Sequence, residues 1–382
     1  MEGLESREAV MRKILVALKD GQINFVGVYG MGGCDSRGAM LNSGGWWVLV
    51  RRESNSGKTT LAKEVAHKRA SDLFDKRVIV EVSDAPNMKG IQNQIAVGIG
   101  LTLNDMHTVA QRARILYNKL KSENILIILD NVWKKLKLDE VGIPRESTKD
   151  FYCKLLIITR EKQVCRFMDV LEVNIFKVGL LNEREALNLF ENQIEKKVDG
   201  GEFKPVADRL LRKCGGLPLA IATTASALRG KNMAMWCHFA ETTEKPISSQ
   251  VSSEYRETYS ILETSYKLID IEEKKIFLSL ACLSPLDSAV TVDDLMRYGI
   301  GLDLFQSFNG LSEAIEQANT WANELISSSL LSKGDSDGEM KIHDLVRASA
   351  ISYIDKVHYK WYQRRLILSS EKLSAIVDLD EA

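Results

Sequence analysis

The chain has 382 residues, 45% of them hydrophobic and 27% charged, with a formal net charge of -1. That length exceeds one compact core and calls for two or three domains, while the near-neutral balance excludes a global basic field for nucleic acid or anionic membrane. The six cysteines (Cys34, Cys153, Cys165, Cys214, Cys237 and Cys282) are scattered without a C-x-x-C pair, which fits a reducing compartment rather than a disulfide scaffold.

The first residues, MEGLESREAVMRK, carry acidic residues and lack the apolar run of a secretory signal. Residues 1–24 are expected to form a helical leader. Residues 25–180 alternate β-rich runs with helical patterns. Strands are expected at Phe25–Tyr29, Val78–Val82, Ile125–Leu129, Leu155–Thr159 and Val173–Val178, and helices at Lys58–Ala70, Met88–Ile99 and Thr108–Leu120. Strands that are apolar throughout and separated by helices imply a parallel sheet covered on both faces. The apolar runs, such as Ile125–Leu129, are far short of a bilayer span, so no transmembrane segment and a cytoplasmic location are expected.

From about Asn182 the pattern becomes helical. Glu183–Glu195, Phe203–Lys213, Pro218–Leu228 and Met233–Thr242 read as a small bundle within 181–250. The polar stretch Glu244–Ser253, with Pro246, marks a boundary. Residues 251–352 carry helical patterns at Tyr255–Leu268, Glu272–Leu280, Val292–Tyr298 and Leu311–Ser327. A hairpin, Leu330–Ser332 with Met340–Ile342, follows across a Gly/Asp-rich turn. Helices followed by such a hairpin fit a winged-helix domain. The tail, 353–382, lacks the regular leucine spacing of a solenoid.

The sharpest chemical signal is Gly57-Lys58-Thr59-Thr60 at the start of a helical pattern. A helix start offers unpaired N–H groups to an anion. A lysine there reaches β/γ-phosphates, and a hydroxyl such as that of Thr59 ligates Mg²⁺. A phosphate loop needs a glycine five positions before Gly57, where this chain has Arg52. The missing half lies upstream, in the strand Phe25–Tyr29 running into Gly30-Met31-Gly32-Gly33. Joining Gly33 to Ser56 restores G-M-G-G-S-G-K-T, with Gly30 as first glycine, so Cys34–Asn55 reads as an insertion that splits one loop.

Two strand ends add to this. Ile125–Leu129 runs into Asp130, where phosphate-loop proteins hold the Mg²⁺ shell. Leu155–Thr159 delivers Arg160 to the same edge of the sheet, where ligands of open α/β sheets bind and a γ-phosphate can be sensed.

The combination of GVYGMGG, GKTTLAKEVA, LIILDNVW, LLIITR, CGGLPLAI, FLSLACL and KIHDLVR, in that order, resembles the NB-ARC domains of plant nucleotide-binding, leucine-rich-repeat immune receptors, with a flavour closer to the coiled-coil subclass. The resemblance covers about residues 5–350. It implies a P-loop NTPase α/β domain, a helical domain and a winged helix closing on ADP or ATP with Mg²⁺. Gly30, Gly32, Gly33, Gly57, Lys58, Thr59 and Thr60 would bind phosphate, and Thr59 and Asp130 the metal. Asp130 would also be the acid of the catalytic centre, and Arg160 the phosphate sensor. Pro218 would pack on the adenine. His343, in Ile342-His343-Asp344, would contact the ADP β-phosphate in a closed state. Other immune-receptor chains would be partners.

This sequence departs from the family pattern at three points. The phosphate loop is interrupted. Asn131 stands where many members have a second aspartate, and an amide cannot act as a carboxylate base. Neither a full coiled coil nor a leucine-rich array is present in these residues. The expected function is an ADP/ATP-binding molecular switch impaired by its split loop. A working P-loop ATPase and a nucleotide-free interaction or decoy module are the rivals. The insertion itself reads as a surface excursion, as a substitute strand at Trp46–Val50, or as retained intron, the last decided by sequencing the transcript. The helix expected at Val292–Tyr298 carries Asp293 and Asp294 and little positive charge, so DNA readout is not expected.

Overall fold

A computed structural model describes residues 4–30, 39–43, 46–50, 57–66, 70, 72–82, 86–104, 106–145, 153–198, 200–243, 256–283, 290–302, 304–305, 310–334, 338–343, 346–347 and 350, with backbone only at 39–43, 46–50 and 256–259. The chain divides into two compact units. The first comprises Met1–Cys34, Glu53–Leu189 and Gly216–Pro218, and the second Asp35–Arg52, Phe190–Gly215 and Leu219–Ala382.

The first unit is built on five parallel strands. In chain order the strands of the molecule begin with β1 (Phe25–Gly30), β2 (Ala39–Ser43), β3 (Trp46–Val50), β4 (Lys76–Glu81), β5 (Ile125–Val132), β6 (Cys153–Thr159) and β7 (Ile175–Val178). The sheet order is β4-β5-β6-β1-β7. β1 pairs in parallel with β6 and with β7. The chain alternates strand and helix because parallel neighbours require a crossover. The helices of this unit are α1 (Glu5–Lys19), α2 (Lys58–Glu64), α3 (Met88–Gly98), α4 (Val109–Leu120), α5 (Leu138–Val141) and α6 (Lys162–Phe167).

Successive side chains of a strand point to opposite faces, so an apolar run feeds two cores. In β5, Ile125, Ile127 and Leu129 join a core with Ile91 and Ile95 of α3 and Leu116 and Leu120 of α4. The intervening Leu126 and Ile128 join the opposite core, with Met11, Ile14 and Leu18 of α1 and Leu61 of α2. The expected α/β sheet with helices on both faces is therefore what the structure shows. Side chains buried to this degree each contribute on the order of 1.5–3 kcal/mol. α4 starts where it does because Thr108 and Gln111 form a reciprocal capping box. α2 is shorter than its sequence pattern: Lys58–Glu64 is α-helical, and the turn widens to π geometry at Val65–Ala66.

α1 is fastened to this unit at its first turn. The Ser6 N–H donates to Glu185 Oε1 at 2.7 Å, and Arg7 Nη2 donates to the Gly179 carbonyl at 2.6 Å. Glu185 also accepts from the Asn182 N–H at 3.1 Å. Burial alone would push the Glu185 carboxyl up; hydrogen bonds from Ser6 and Asn182 and the Arg7 charge outweigh it and leave the carboxyl below its ordinary value. A carboxylate held below its unfolded value stabilises above that value and loses the contribution as pH falls through the folded one. Glu185→Ala is expected to cost about 2 kcal/mol in urea unfolding at neutral pH. The cost should shrink on acidification, because the wild type loses the same contribution there.

The described residues of the insertion do not enter the sheet. β2 and β3 pair with each other in antiparallel register, Ala39 opposite Val50 and Ser43 opposite Trp46, as a separate two-stranded ribbon. Trp46–Val50 is thus not a substitute for the first strand, whose place between β6 and β7 is held by Phe25–Gly30. The physical reason is local: two five-residue segments separated only by Gly44-Gly45 have a hairpin as the nearest pairing.

The second unit holds helices at Lys204–Cys214, Met233–Thr242, Arg256–Lys267, Glu272–Leu283, Val292–Ile300 and Leu311–Ser327, and the helix Pro218–Leu228 from Leu219 onward. Trp236 meets Phe190 and Phe203 edge-on, at ring-centroid distances of 5.6 Å and 4.9 Å. A second core gathers Phe277, Leu295, Trp321 and Leu325. Beside it lies a three-stranded antiparallel sheet, β8 (Val290–Thr291), β9 (Ser332–Lys333) and β10 (Glu339–Lys341), in the order β8-β10-β9. Of the expected hairpin, the first strand ends one residue later, at Lys333, and the second lies one residue earlier, at Glu339–Lys341; β8 adds a third strand too short to show periodicity. Among the described residues no helix is long and apolar enough to cross a membrane.

Candidate functional site

The sheet order brings the predicted residues to one edge. β6 lies between β5 and β1, so the strand end carrying Arg160 stands between those carrying Asp130 and Gly30. Gly30 is buried at the end of β1. Gly32 and Gly33, like Asp344, lie outside the described residues.

Gly57 caps α2 with φ +75°, a left-handed conformation that favours glycine. Lys58 comes next, with only 7% of its surface exposed, whereas Thr59 and Thr60 are exposed. Thr59 hydrogen-bonds the Asp130 carboxylate, and Lys58 lies close enough to act on it electrostatically. Burial pushes the Asp130 carboxyl up and the Glu81 charge adds to this; Thr59, the Asn131 N–H and Lys58 only partly offset it. Glu81 is the β4 residue in register with Asp130. A hydroxyl and a carboxylate in contact are hard oxygen donors of the kind Mg²⁺ takes, and Mg²⁺ commonly fills its remaining positions with phosphate and water. The residues present therefore fit that ion. No group of three or more His, Cys, Asp or Glu that could hold a metal by itself occurs among the described residues.

Pro218 reaches the same place. Its Cγ lies 4.0 Å from where a Cβ on Gly57 would stand. Gly216 makes this approach possible, since its carbonyl accepts from the Leu181 N–H at 2.9 Å. Its φ is +71°, and a Cβ there would fall 2.3 Å from the Leu181 carbonyl oxygen. Gly216→Ala is expected to lower stability by about 2–3 kcal/mol, read by urea unfolding, because strained backbone and overlap add.

Arg160 comes directly after β6, where the Thr159 hydroxyl accepts the Glu161 N–H at 3.3 Å and turns the chain into α6. Its Nη2 donates to Asn131 Oδ1 at 3.3 Å, and its guanidinium carbon lies 3.5 Å from the centroid of the Trp133 ring. Asn131 itself has φ +60°. β5 and β6 slip between Leu129 and Val132, so two residues of β5 oppose one of β6. His343 belongs to the second unit, half-buried just past β10, and its carbonyl accepts from the Arg347 N–H at 2.9 Å. Sequence reasoning did not single out Glu81 or the Trp133 platform. A carboxylate ending an apolar strand was the available signal for Glu81, and the tryptophan of LIILDNVW that for Trp133.

The NB-ARC domain family model matches residues 39–200. Residues 39–200 are thus similar to NB-ARC domains. The matched range starts inside the insertion and omits Phe25–Gly30, which nonetheless lies within the sheet between β6 and β7. The hydrogen-bonded register decides between the two, and β1 rather than β3 belongs to the parallel sheet. Over 346 residues the chain is 30% identical to a probable disease resistance protein of Arabidopsis thaliana, covering 90% of this chain and 35% of that protein. It is 28% identical over 353 residues to disease resistance protein RPS5 of Arabidopsis thaliana, covering 90% and 37%. The chain thus spans little more than a third of the length of these relatives. Among solved structures it is similar to the ORC2 protein of Aeropyrum pernix in ADPNP-ADP complexes, 15% identical with a TM-score of 0.41 over 94% of each chain. A likeness of that size adds nothing to the sheet order itself.

Proposed function

We propose that the NB-ARC domain binds ADP or ATP with Mg²⁺ at the edge formed by β1, β5, β6 and the start of α2, and that it is the nucleotide switch of a plant intracellular immune receptor. The observation that carries this reading is the contact of Thr59 with Asp130, with Lys58 beside them and Pro218 against Gly57. Gly30, Gly32, Gly33, Gly57, Lys58, Thr59 and Thr60 would hold the phosphates. Thr59 and Asp130 would hold Mg²⁺, which when bound neutralises phosphate charge. Pro218 would face the adenine, Arg160 would sense the γ-phosphate, and His343 would contact the ADP β-phosphate in the closed state. Such a switch changes domain packing according to the phosphate present.

The relatives' descriptions support the defence role, and the absence of a carboxylate at position 131 favours a switch over a turnover enzyme. A steady-state ATPase assay tests this: no sustained turnover is expected, and several turnovers per minute would make the chain an enzyme. The interruption of the phosphate loop favours one second reading, a nucleotide-free interaction module. ADP calorimetry on the full chain separates the two, since any saturable binding rules that module out.

A further inference from the structure

We infer that Asn131 and Trp133 are positioning residues for Arg160, holding its guanidinium in a rest position and setting how readily it turns to a γ-phosphate. The inference rests on the nucleotide-switch reading for the γ-phosphate and on the geometry alone for the rest position.

Three features converge on Arg160. Its planar guanidinium lies over the Trp133 ring, 3.5 Å from the centroid, the arrangement in which arginine is attracted to an indole face. Its Nη2 donates to Asn131 Oδ1 at 3.3 Å. The third feature is the backbone that presents Asn131. β5 is buried on both faces up to Leu129, then slips against β6 so that Asp130 and Asn131 share one opposing position. A bulge of this kind re-aims a side chain and occurs preferentially beside functional sites. Asn131 completes it with φ +60°, which asparagine adopts more easily than other residues with a Cβ. Neighbouring residues of the bulge thus serve two ends: Asp130 meets Thr59, and Asn131 meets Arg160.

The choice of an amide matters. A neutral acceptor holds a guanidinium less firmly than a carboxylate does. Arg160 can therefore leave Asn131 for a phosphate, whereas an aspartate at 131 would compete with the phosphate as an anion. By mass action, any hold on the rest position lowers apparent affinity for the nucleotide that needs Arg160 released, and leaves ADP affinity unchanged.

The test uses the full chain and four variants, the last of them Arg160→Ala. Asn131→Gly removes the acceptor while keeping the left-handed backbone unstrained. Trp133→Leu removes the aromatic face, and Trp133→Phe retains one. Calorimetry with ADP and with a non-hydrolysable ATP analogue should show the preference for the analogue rising about three- to tenfold in Asn131→Gly and Trp133→Leu. Trp133→Phe should stay near wild type, and ADP affinity should not move. Equal weakening of both nucleotides would mean a merely structural role and overturn the inference. In parallel, the emission of Trp133 is isolated in nucleotide-free protein as the difference from Trp133→Phe. It should shift to longer wavelength in Arg160→Ala and in Asn131→Gly, because the ring loses its cover. An unchanged Trp133 emission overturns the rest position even if no nucleotide binds, and failure of all nucleotide binding with the shift present overturns only the switch reading.

Discussion

Removing Cys34–Asn55 is expected to tighten ADP binding about a thousandfold, because it joins Gly33 to Ser56 and restores a continuous phosphate loop. A loop of this kind binds phosphate through successive backbone N–H groups, and hydrogen bonds to a charged group contribute about 1.5–3 kcal/mol each. Regaining two or three of them amounts to roughly 4 kcal/mol, which is about three orders of magnitude in the dissociation constant. The fold should tolerate the deletion. The described residues of the insertion form their own two-stranded ribbon, and the two cores of the sheet are filled from strands and helices on either side of it. Urea unfolding of the shortened protein should therefore give stability within about 1 kcal/mol of the full chain, the range of substitutions remote from a core. A thousandfold gain in affinity with unchanged stability would locate the defect in the loop alone.

Asp130→Asn is expected to separate stability from function. The wild-type carboxylate is buried, lies in register with Glu81, and is only partly offset by Thr59, the Asn131 N–H and Lys58. An amide of the same shape keeps an acceptor for Thr59 and removes the repelled charge, so stability should rise by about 1–2 kcal/mol. The same change deprives Mg²⁺ of its anionic protein ligand. Measured in the shortened protein, affinity for the Mg²⁺-nucleotide should fall about a hundredfold, with little change when Mg²⁺ is omitted. A gain in stability with a loss of binding is the pattern of a residue retained for function at the expense of the fold. If Asp130→Asn destabilises the protein and leaves the Mg²⁺ dependence intact, Asp130 is a structural residue.

The parallel sheet was legible because its strands are buried on both faces. Ile125–Leu129 and Leu155–Ile158 alternate between two cores, so every position must be apolar, and a continuous run results. The course of β5 past Leu129 was not legible. The apolar run stops at Asp130, but the strand continues to Val132 through a slip in register. A bulge depends on the partner strand and leaves only a weak local mark, here the polar pair Asp130-Asn131 before Val132-Trp133. The opposite error occurs at Val173–Val178. Glu172–Asn174 forms a 3-10 turn, with Val173 79% exposed, so that valine continued the apolar pattern without joining the strand.

At the site, residues belonging to one motif could be paired across the insertion because the halves complete each other in type and spacing. Contacts between motifs could not. The register of Glu81 with Asp130, the approach of Pro218 to Gly57 and the stacking of Arg160 on Trp133 depend on strand order and on a close glycine contact at Gly216. They appear only when the chain is folded.

The central claim is that one adenine nucleotide binds where Lys58, Thr59 and Asp130 meet. It is tested most directly by ADP calorimetry in the presence of Mg²⁺ on the protein lacking Cys34–Asn55, with and without Lys58→Ala. One ADP bound per chain, lost on Lys58→Ala, is the predicted result. No binding without the insertion, or binding indifferent to Lys58, would contradict it.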